Sequence, residues 1–348
     1  MKRVLTAALA VIVMISAVTG VTVLTGRLKN SVVPVAHAIP LNASVSLPSA
    51  SSKLENAAGA AARAMGYSEI ITYSFISPSY YDKIRLPADS PLRNSMKILN
   101  PLGEDTSIMR TTVLPSMLEI LTRNYNYRNK AVRLYEIGKV YFARPDGMAD
   151  EPKLLCLGGY GGGMDFFQLK GAVERILAGL RITDVTFEAE NGNPSYHPGR
   201  CAKVYAGGKL LGVLGQIHPL AAANYGVDTE LYTAELQLGE MLAERGATPV
   251  YTPLPRFPAV TRDVAVVCSA DIPVAKLSQC ILAAGGQYLK GCELFDVYTG
   301  APIPAGYKSV AFSLTLRADD QTLTDDHAEE TMQSVLKALE ETFHATIR

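Results

Sequence analysis

The sequence predicts an α+β protein, and three observations support that fold class. Strand patterns outnumber helix patterns and do not alternate with them regularly, so the main sheet is expected to be mixed and mainly antiparallel. Residues 255–348 show the element order β-α-β-β-α-β, which is the ferredoxin-like arrangement with both helices on one face of a sheet. The chain has 348 residues, 48% of them hydrophobic, which is enough for two or three domains.

An uncharged segment from Val4 to Gly26 opens the chain. Its 23 residues are rich in Val, Leu, Ile and Ala, and basic residues flank it on both sides. At about 1.5 Å of rise per residue, a helix of this length crosses a hydrocarbon core of roughly 30 Å. Residues 1–29 are therefore predicted to be a signal-like or anchor-like leader. The alternatives are cleavage near Ala36-His37-Ala38, or an artefact of the gene start or of a fusion. Residues 30–53, with several Pro, Ser and Ala, are predicted to be a linker.

The next region, residues 54–250, is predicted to form one mixed sheet with helices. A helix is expected over Leu54–Met65, where alanines dominate, and a strand over Glu69–Phe75, where β-branched and aromatic residues do. Gly138 is expected to separate two strands. The remaining predicted elements are a helix at Leu114–Leu121, strands at Val132–Ile137, Lys139–Ala143 and Leu154–Tyr160, a helix at Phe166–Leu180, and a hairpin of Ala202–Tyr205 and Leu210–Gln216.

The last region, residues 255–348, shows the clearest periodicity. In the strand Ser309–Arg317, apolar residues alternate strictly with small or polar ones, which predicts one buried face. Thr324 is expected to cap a helix whose apolar stripe is Met332, Val335, Leu339 and Phe343. The other predicted elements are strands at Arg262–Cys268 and Cys292–Tyr298, a helix at Pro273–Ala284, and an edge strand at Ala345–Arg348.

The charge balance excludes one class of nucleic-acid-binding protein. The chain carries 33 basic and 33 acidic residues, and four of the basic ones but none of the acidic ones lie in residues 1–50. A formal net charge of zero excludes a protein that coats nucleic acid by bulk positive charge. Any contact with nucleic acid is therefore expected to come from a local patch.

No catalytic or metal site is predicted. The five cysteines include no CxxC pair, which argues against a disulfide framework and a zinc site and favours buried thiols. The glycine run at 158–163 lacks the Lys-Ser or Lys-Thr of a phosphate loop. His197 and His218 are each followed by Pro, and no acidic residue or Cys stands where it would complete a triad or a metal set.

One constellation favours contact with RNA. Asp296 and Tyr298 lie two residues apart on a predicted strand and therefore share a face. On the next strand, Ser309 points to the face that is not apolar. If helices cover that apolar face, Ser309 lies on the open one, and Asp296 and Tyr298 are candidates for the same face. A ring, a hydroxyl and a carboxylate on an open sheet suit single-stranded RNA, whose bases stack on rings and pair by their edges. An ordinary solvated sheet face is the alternative.

Several motifs, in order along the chain, resemble those of a known family. They are Thr72-Tyr73-Ser74-Phe75, Asn100-Pro101-Leu102, Met109-Arg110-Thr111, Tyr135-Glu136-Ile137-Gly138, Asp165-Phe166-Phe167, Leu169-Lys170-Gly171, His197-Pro198-Gly199-Arg200, Arg256-Phe257-Pro258, Glu293-Leu294-Phe295-Asp296-Val297-Tyr298 and Leu323-Thr324-Asp325. From about Ala57 to the end, the chain is similar to the bacterial phenylalanyl-tRNA synthetase beta subunit. The resemblance implies a catalytically silent, class II synthetase-like core at 54–250 and a ferredoxin-like anticodon-binding domain at 255–348.

The resemblance also implies partners and site residues. It implies an alpha subunit that binds ATP and phenylalanine, with no cofactor bound by this chain, and ATP and magnesium used by the assembled, cytoplasmic ligase. It places the tRNA anticodon against Ala265, Asp296, Tyr298 and Ser309, with Tyr298 as the stacking ring. Basic residues beside the strands are weaker candidates for phosphate contacts: Arg256, Arg262, Lys308 and Arg317.

The chain also departs from the family pattern. Arg133 and Glu136 are spaced one residue too far for the class II strand motif, and Gln168 replaces the usual Asp of the Asp-Phe-Phe-Asp-Leu-Lys-Gly motif. The leader occupies the place of the family's editing and magnesium-binding modules. These departures favour a truncated beta subunit, and the alternative hypothesis is a stand-alone RNA-binding or scaffolding remnant, tethered to a membrane through residues 4–26.

Overall fold

The computed structural model describes residues 48–247 and 249–348. The predicted leader and most of the predicted linker lie outside the described residues, and so does the proposed membrane span at residues 4–26. In the part of the chain that is described, no helix is both long and apolar enough to span a membrane. The chain divides into two compact units, of which the second is Pro249–Arg348. They are described separately as the core unit (residues 48–247) and the terminal unit (residues 249–348).

The core unit contains a seven-stranded sheet in the order β1-β4-β7-β11-β10-β9-β8, and all neighbours are antiparallel except β1 and β4. This agrees with the predicted mixed, mainly antiparallel sheet. The helices are α1 (Ala50–Ala64), α2 (Ser79–Lys83), α3 (Leu114–Asn126), α4 (Phe166–Gly179), α5 (Pro219–Asn224) and α6 (Leu238–Ala243). The strands are β1 (Ser68–Glu69), β2 (Phe75–Ile76), β3 (Ile108–Met109), β4 (Val132–Lys139), β5 (Phe142–Ala143), β6 (Ala149–Asp150), β7 (Lys153–Tyr160), β8 (Val185–Ala189), β9 (Tyr196–Ala206), β10 (Lys209–Ile217) and β11 (Tyr232–Gln237).

Apolar side chains pack on both faces of this sheet. Alternate residues of β4 show the division, because Tyr135 belongs to the cluster formed with α1 and α4, whereas Leu134 belongs to the cluster formed with α3. A strand that is buried on both faces carries few exposed polar positions. The sheet of the core unit therefore offers little open surface to a ligand.

The predicted strand boundary at Gly138 is wrong. Gly138 lies inside β4, which runs without a break to Lys139. A Cβ atom on Gly138 would stand 2.3 Å from Nη2 of Arg110 and 2.9 Å from Oε1 of Glu136. The glycine therefore makes room for a buried ion pair, and it does not mark the end of a strand.

The predicted strand Glu69–Phe75 is also divided. Ladder pairing is confined to β1 and β2, while residues 70–74 between them belong to no strand. A side-chain hydrogen bond holds this segment. Oγ1 of Thr72 donates to the carboxylate of Glu136, with distances of 2.9 and 2.7 Å to its two oxygens. The β-branched residues of this segment favour the extended backbone but do not decide what it pairs with.

The terminal unit has the predicted β-α-β-β-α-β order. Its elements are β12 (Val260–Ser269), α7 (Val274–Ala284), β13 (Leu289–Tyr298), β14 (Tyr307–Leu316), α8 (Asp325–Phe343) and β15 (Thr346–Ile347). The sheet order is β13-β14-β12-β15, and every pair is antiparallel. Thr324 caps α8 as predicted, since its side chain accepts a hydrogen bond from the backbone N–H of His327.

The helices of the terminal unit cover one face of its sheet. Val310, Phe312 and Leu314 of β14 are buried in one cluster with Leu277 of α7 and Val335 of α8. The alternating residues of β14 point to the other face, where no helix of the unit packs. The predicted apolar face is confirmed, while Ser309 and Ala311 on the opposite face are also little exposed, at 5% and 9%.

A β-bulge interrupts β13 between Leu294 and Asp296. Leu294 lies opposite Phe312 on the helix-covered face, whereas Asp296 lies opposite Ala311 on the open face. The extra residue, Phe295, therefore changes which face the following residues occupy.

Candidate RNA-contacting face and partner surface

Two rows of residues cross the open face of the terminal sheet. In one row Asp296 lies opposite Ala311, which lies opposite Ala265 on the far side. In the neighbouring row Tyr298 lies opposite Ser309. The strand pairing thus brings all four residues of the predicted anticodon contact onto one patch, which we call the open-face patch (Ala265, Asp296, Tyr298 and Ser309).

Tyr298 is the most prominent side chain of the open-face patch. Its side chain is 39% exposed, and its hydroxyl donates a hydrogen bond to the carbonyl oxygen of Ala301 at 2.9 Å. A Cβ atom on Gly300 would stand 2.3 Å from that hydroxyl oxygen, so the turn after β13 needs a glycine to let the ring pack over it. The ring is therefore held at its hydroxyl end while part of its surface stays in solvent, which suits stacking on a base.

The other three residues differ in accessibility. Asp296 is exposed, whereas Ser309 in the middle of the sheet is only 5% exposed. Ala265 is half-buried and has no side chain large enough to obstruct an approaching ring. The carboxylate of Asp296 and the ring of Tyr298 are consequently the groups that a ligand would meet first, and Ser309 forms the floor of the patch.

Two of the four basic candidates for phosphate contacts lie on the opposite face from the open-face patch, and the other two lie outside the strands. Arg262 and Lys308 pair with Leu314 and Cys268, which places both on the helix-covered face. Arg256 precedes β12, and Arg317 follows the last residue of β14. Their spacing beside the strands could not distinguish the two faces.

Lys308 has a structural role on its face. It is 9% exposed, and its ammonium donates hydrogen bonds to the backbone oxygens of Ala270 and Ile272. These contacts hold the turn between β12 and α7. The ammonium is therefore already engaged within the protein.

Tyr307 is a residue that the sequence reasoning overlooked. It lies two positions before Ser309 on β14, so it shares the open face, and its side chain is exposed. The signal was the period of two in β14, which extends one step further than the predicted strand. Tyr307 adds a second ring to the face that carries Tyr298.

The core unit presents a different kind of surface, made by the extended residues 71–75. The side chains of Ile71 and Tyr73 are 92% and 81% exposed, and Phe75 is also exposed. A cavity of about 440 Å³ opens beside them and is lined in part by Ile120 and Tyr80. Exposed apolar side chains grouped around a concavity are typical of a protein–protein contact. We call these three residues the apolar edge.

A buried ion pair holds the apolar edge in place. Nη2 of Arg110 lies 3.0 Å from Oε1 of Glu136, and both side chains are almost completely buried. Nη1 of Arg110 donates to Oγ1 of Thr72 at 2.6 Å, and Nε donates to the carbonyl oxygen of Lys139 at 2.9 Å. Because Thr72 is anchored inward by these contacts, its neighbours in the extended segment point outward.

One cavity of the core unit does not suit a nucleoside triphosphate with its metal ion. It has a volume of about 460 Å³ and is lined by two carboxylates, those of Glu190 and Glu235, and by Lys203. The ammonium of Lys203 is paired with Glu190, so no free cation faces the cavity to receive a polyphosphate. Within the described residues, no group of three or more His, Cys, Asp or Glu is placed to hold a metal ion.

Glu235 serves the fold at that cavity. Its carboxylate accepts hydrogen bonds from the hydroxyl of Thr112 at 2.8 Å and from the backbone N–H groups of Val113 and Leu114 at 2.7 and 3.0 Å. It therefore satisfies the first N–H groups of α3 from a different strand. Burial raises the pKa of Glu235 above its usual range, although these hydrogen bonds oppose the shift.

Two family models match the chain. Residues 38–238 match the phenylalanyl tRNA synthetase beta chain CLM domain, and residues 255–348 match the ferredoxin-fold anticodon binding domain. Together they cover both units described above.

Curated relatives agree with these matches. The phenylalanine–tRNA ligase beta subunit of Clostridium acetobutylicum is 43% identical over 285 residues, which are 81% of this chain and 36% of that protein. The beta subunit of Moorella thermoacetica is 43% identical over 308 residues, which are 84% of this chain and 38% of that protein. The chain thus spans little more than a third of the length of these relatives.

Among solved structures, pyrrolysyl-tRNA synthetase from Desulfitobacterium hafniense is similar, with a TM-score of 0.49 and 17% identity. The match covers 63% of this chain and 76% of that one. A likeness of this size supports no conclusion about function. None of the matched proteins supports the alternative of a membrane-tethered remnant.

Proposed function

This chain belongs to the phenylalanyl-tRNA synthetase beta subunit family, and on that premise we propose that it supports the attachment of phenylalanine to tRNA as a non-catalytic part of phenylalanine–tRNA ligase. The observation that carries the proposal is the open-face patch, in which two neighbouring strands bring a held ring, a carboxylate and a hydroxyl together on the sheet face opposite the helices. The 460 Å³ cavity of the core unit offers no free cation to a nucleoside triphosphate, because its Lys203 is paired with Glu190. The ATP and magnesium of the reaction are therefore assigned to a catalytic alpha subunit, in the cytoplasm.

The open-face patch contacts the anticodon of tRNA in this proposal. Tyr298 offers its ring to one base, and Asp296 accepts hydrogen bonds from the edge of a base beside it. Ser309 and Ala265 keep the floor between them shallow, so that a flat base can approach. Residues 255–348 carry 8 basic and 12 acidic residues, which is consistent with recognition by stacking and base-edge contacts and not by neutralisation of the backbone.

The apolar edge is proposed to dock onto the alpha subunit. Ile71 and Tyr73 are large apolar side chains that are almost fully exposed to solvent. A partner that covers them would account for this exposure. The Arg110–Glu136 pair fixes their positions before the partner arrives, which lowers the entropy lost on association.

The proposal is tested by co-expressing the full chain with a bacterial phenylalanyl-tRNA synthetase alpha subunit. We expect the two chains to co-purify and the complex to charge tRNA with radiolabelled phenylalanine. Tyr73→Asp should prevent co-purification, because it places a charge in the apolar contact. Met148→Asp is the matched control, since Met148 is also an exposed apolar residue but lies on the β5–β6 hairpin.

Failure of the wild-type chains to form a complex would contradict the proposed partnership. A complex that charges tRNA no faster than the alpha subunit alone would contradict the proposed supporting role. In a working complex, Tyr298→Ala should raise KM for tRNA more than it lowers kcat, because the ring contributes to binding and not to the chemical step.

A further inference from the structure

A second polar concavity lies in the core unit, away from the apolar edge. It has a volume of about 320 Å³ and lies between the end of α1 and the first turns of α4. Its polar lining consists of Tyr67, Arg133, Gln168 and Arg175, and the ring of Phe167 stands at its side. We call it the arginine pocket, and neither the open-face patch nor the apolar edge includes any of these residues.

The two arginines have no ion-pair partner among the described residues. Neighbouring carboxylates are engaged elsewhere. Glu69, which follows Tyr67 by two residues, accepts a hydrogen bond from the hydroxyl of Tyr135 at 2.8 Å and pairs with Arg63. Glu174, which precedes Arg175 on α4, pairs with Lys170. The positive charge of the pocket is therefore not neutralised by these groups.

Tyr67 gives an independent indication that the pocket receives a ligand. Its side chain is only 4% exposed, it lines the pocket, and its hydroxyl makes no hydrogen bond to any described residue. Burial raises the pKa of Tyr67 to about 12, with the charge of Arg133 opposing the shift. A tyrosine that is buried except where it lines the pocket, and whose hydroxyl has no protein partner, can donate a hydrogen bond to a molecule bound there.

The first turn of α4 adds to this arrangement. Asp165 caps the helix by accepting a hydrogen bond from the backbone N–H of Gln168 at 2.7 Å. The side chain of Gln168 lines the pocket, so its amide can donate to a ligand there. Phe167 is 74% exposed, and its ring is held edge-on by Phe166 at 5.4 Å between centroids. An exposed, positioned ring next to two guanidinium groups suits a strand with alternating bases and phosphates better than an acidic peptide.

We propose that the arginine pocket binds a phosphate group of an RNA strand. The guanidinium groups of Arg133 and Arg175 supply the charge, Tyr67 and Gln168 donate hydrogen bonds, and Phe167 stacks on the adjoining base. The proposal deepens the proposed function and rests on it, because it gives the tRNA a second contact on the core unit.

The test is a binding titration of the full chain with an unmodified phenylalanine tRNA transcript at several salt concentrations. Gln168→Asp places a carboxylate in the pocket and should weaken binding roughly tenfold, because like charges would then face each other. Gln168→Asn is the matched control and should change the affinity by about twofold or less. An acidic residue is favoured in the first turn of a helix, so the Asp variant is expected to fold.

Two further measurements separate phosphate binding from a structural effect. Arg175→Gln should lower the slope of log K against log salt concentration by about one, as expected when one phosphate contact is lost. Inorganic phosphate, exchanged for chloride at constant ionic strength, should compete with RNA for the wild-type chain but much less for Gln168→Asp. A merely structural role of these residues would leave both readouts unchanged.

The outcomes distinguish this proposal from the proposed function. If Gln168→Asp and Gln168→Asn bind RNA equally well with equal salt slopes, the arginine pocket is overturned, while loss of affinity in Tyr298→Ala would leave the anticodon contact standing. If Gln168→Asp loses affinity and Tyr298→Ala does not, the pocket stands and the anticodon contact falls.

A hexaglutamate peptide tests the identity of the ligand. If this peptide binds the chain and RNA does not, and Gln168→Asp changes that binding, the ligand is an acidic protein segment and the RNA assignment is wrong. A wild-type chain that does not bind the transcript overturns both.

Discussion

The sheets of the two units differ in how many of their faces are covered, and the difference changes what their polar side chains do. In the core unit, apolar clusters lie on both faces, and the Arg110–Glu136 pair and Glu235 hold backbone segments in place from inside. In the terminal unit, helices cover one face only, and Asp296 and Tyr298 meet solvent on the other. A carboxylate is a structural element in the first unit and a candidate ligand-binding group in the second.

The largest effect on stability is expected when Arg110 is removed from the buried ion pair. Arg110→Met should destabilise the core unit by about 3–5 kcal/mol, because Glu136 would be left buried without its charge partner. Hydrogen exchange followed by mass spectrometry reports the two units separately, and only core-unit peptides should lose protection. Arg144→Met is the control, since its ion pairs are exposed, and it should leave stability almost unchanged. Equal effects of the two substitutions would contradict the structural role of the buried pair.

The next test concerns the open face. Tyr298→Ala should weaken binding of a phenylalanine tRNA transcript by about 1–3 kcal/mol, because a stacking ring is lost. Tyr298→Phe keeps the ring and should retain most of the affinity. Tyr251→Ala removes an exposed ring that lies outside every strand and should have no effect. Fluorescence anisotropy with labelled tRNA measures all three, and an unchanged affinity of a folded Tyr298→Ala variant would remove the stacking role.

A smaller effect is expected on the covered face of the same sheet. Lys308→Met should destabilise the terminal unit by about 1–2 kcal/mol, because two carbonyl oxygens lose a charged donor, and it should leave RNA affinity unchanged. Urea unfolding and the anisotropy assay test the two halves of this prediction. A loss of affinity without a loss of stability would assign Lys308 to phosphate binding after all.

The smallest effect is a pH dependence inside the core unit. Burial raises the pKa of Glu235 in the folded state, so the folded state binds the proton more tightly than the unfolded chain does. The stabilisation from this proton is fully present below the unfolded pKa, about 4.3 for glutamate, and it is lost as the pH rises through the folded value. Urea unfolding between pH 5 and 8 should therefore show Glu235→Gln gaining stability relative to wild type as the pH rises.

Glu230 provides the control for that measurement. Hydrogen bonds from Tyr232 and Arg200 lower its pKa, so its contribution is lost only as the pH falls below the usual glutamate range. Glu230→Gln should accordingly show no change relative to wild type between pH 5 and 8. A parallel behaviour of the two variants would mean that Glu235 does not titrate in this window.

Much of the fold could be predicted because it follows from local patterns. The alternation along β14 predicted its buried face correctly, and the cap at Thr324 predicted where α8 begins. The strand β11, in the middle of the core sheet, was missed, since Glu235 interrupts its apolar pattern. The carboxylate is tolerated there because it caps a helix that is distant in sequence, and no local pattern contains that information.

The candidate site was predictable to a similar extent. Strand parity predicted that Asp296 and Tyr298 share a face, since both residues lie after the bulge in β13, but it could not give their register with Ser309 on β14. Lys308 looked equally available in the sequence, but its ammonium is held by two carbonyl oxygens of a turn. Whether a basic side chain is free depends on contacts across the fold, and these appear only in the structure.

The bulge at Phe295 changes, within one strand, which residues point to which face of the sheet. Before it, every second residue lies on the helix-covered face, as Cys292 and Leu294 do, and after it the same count places Asp296 and Tyr298 on the open face. The sequence of β13 before the bulge and the sequence after it can therefore change independently of each other. A redesign that continues the period of two from Leu294 through the rest of the strand would keep the sheet intact and yet erase the surface that it presents.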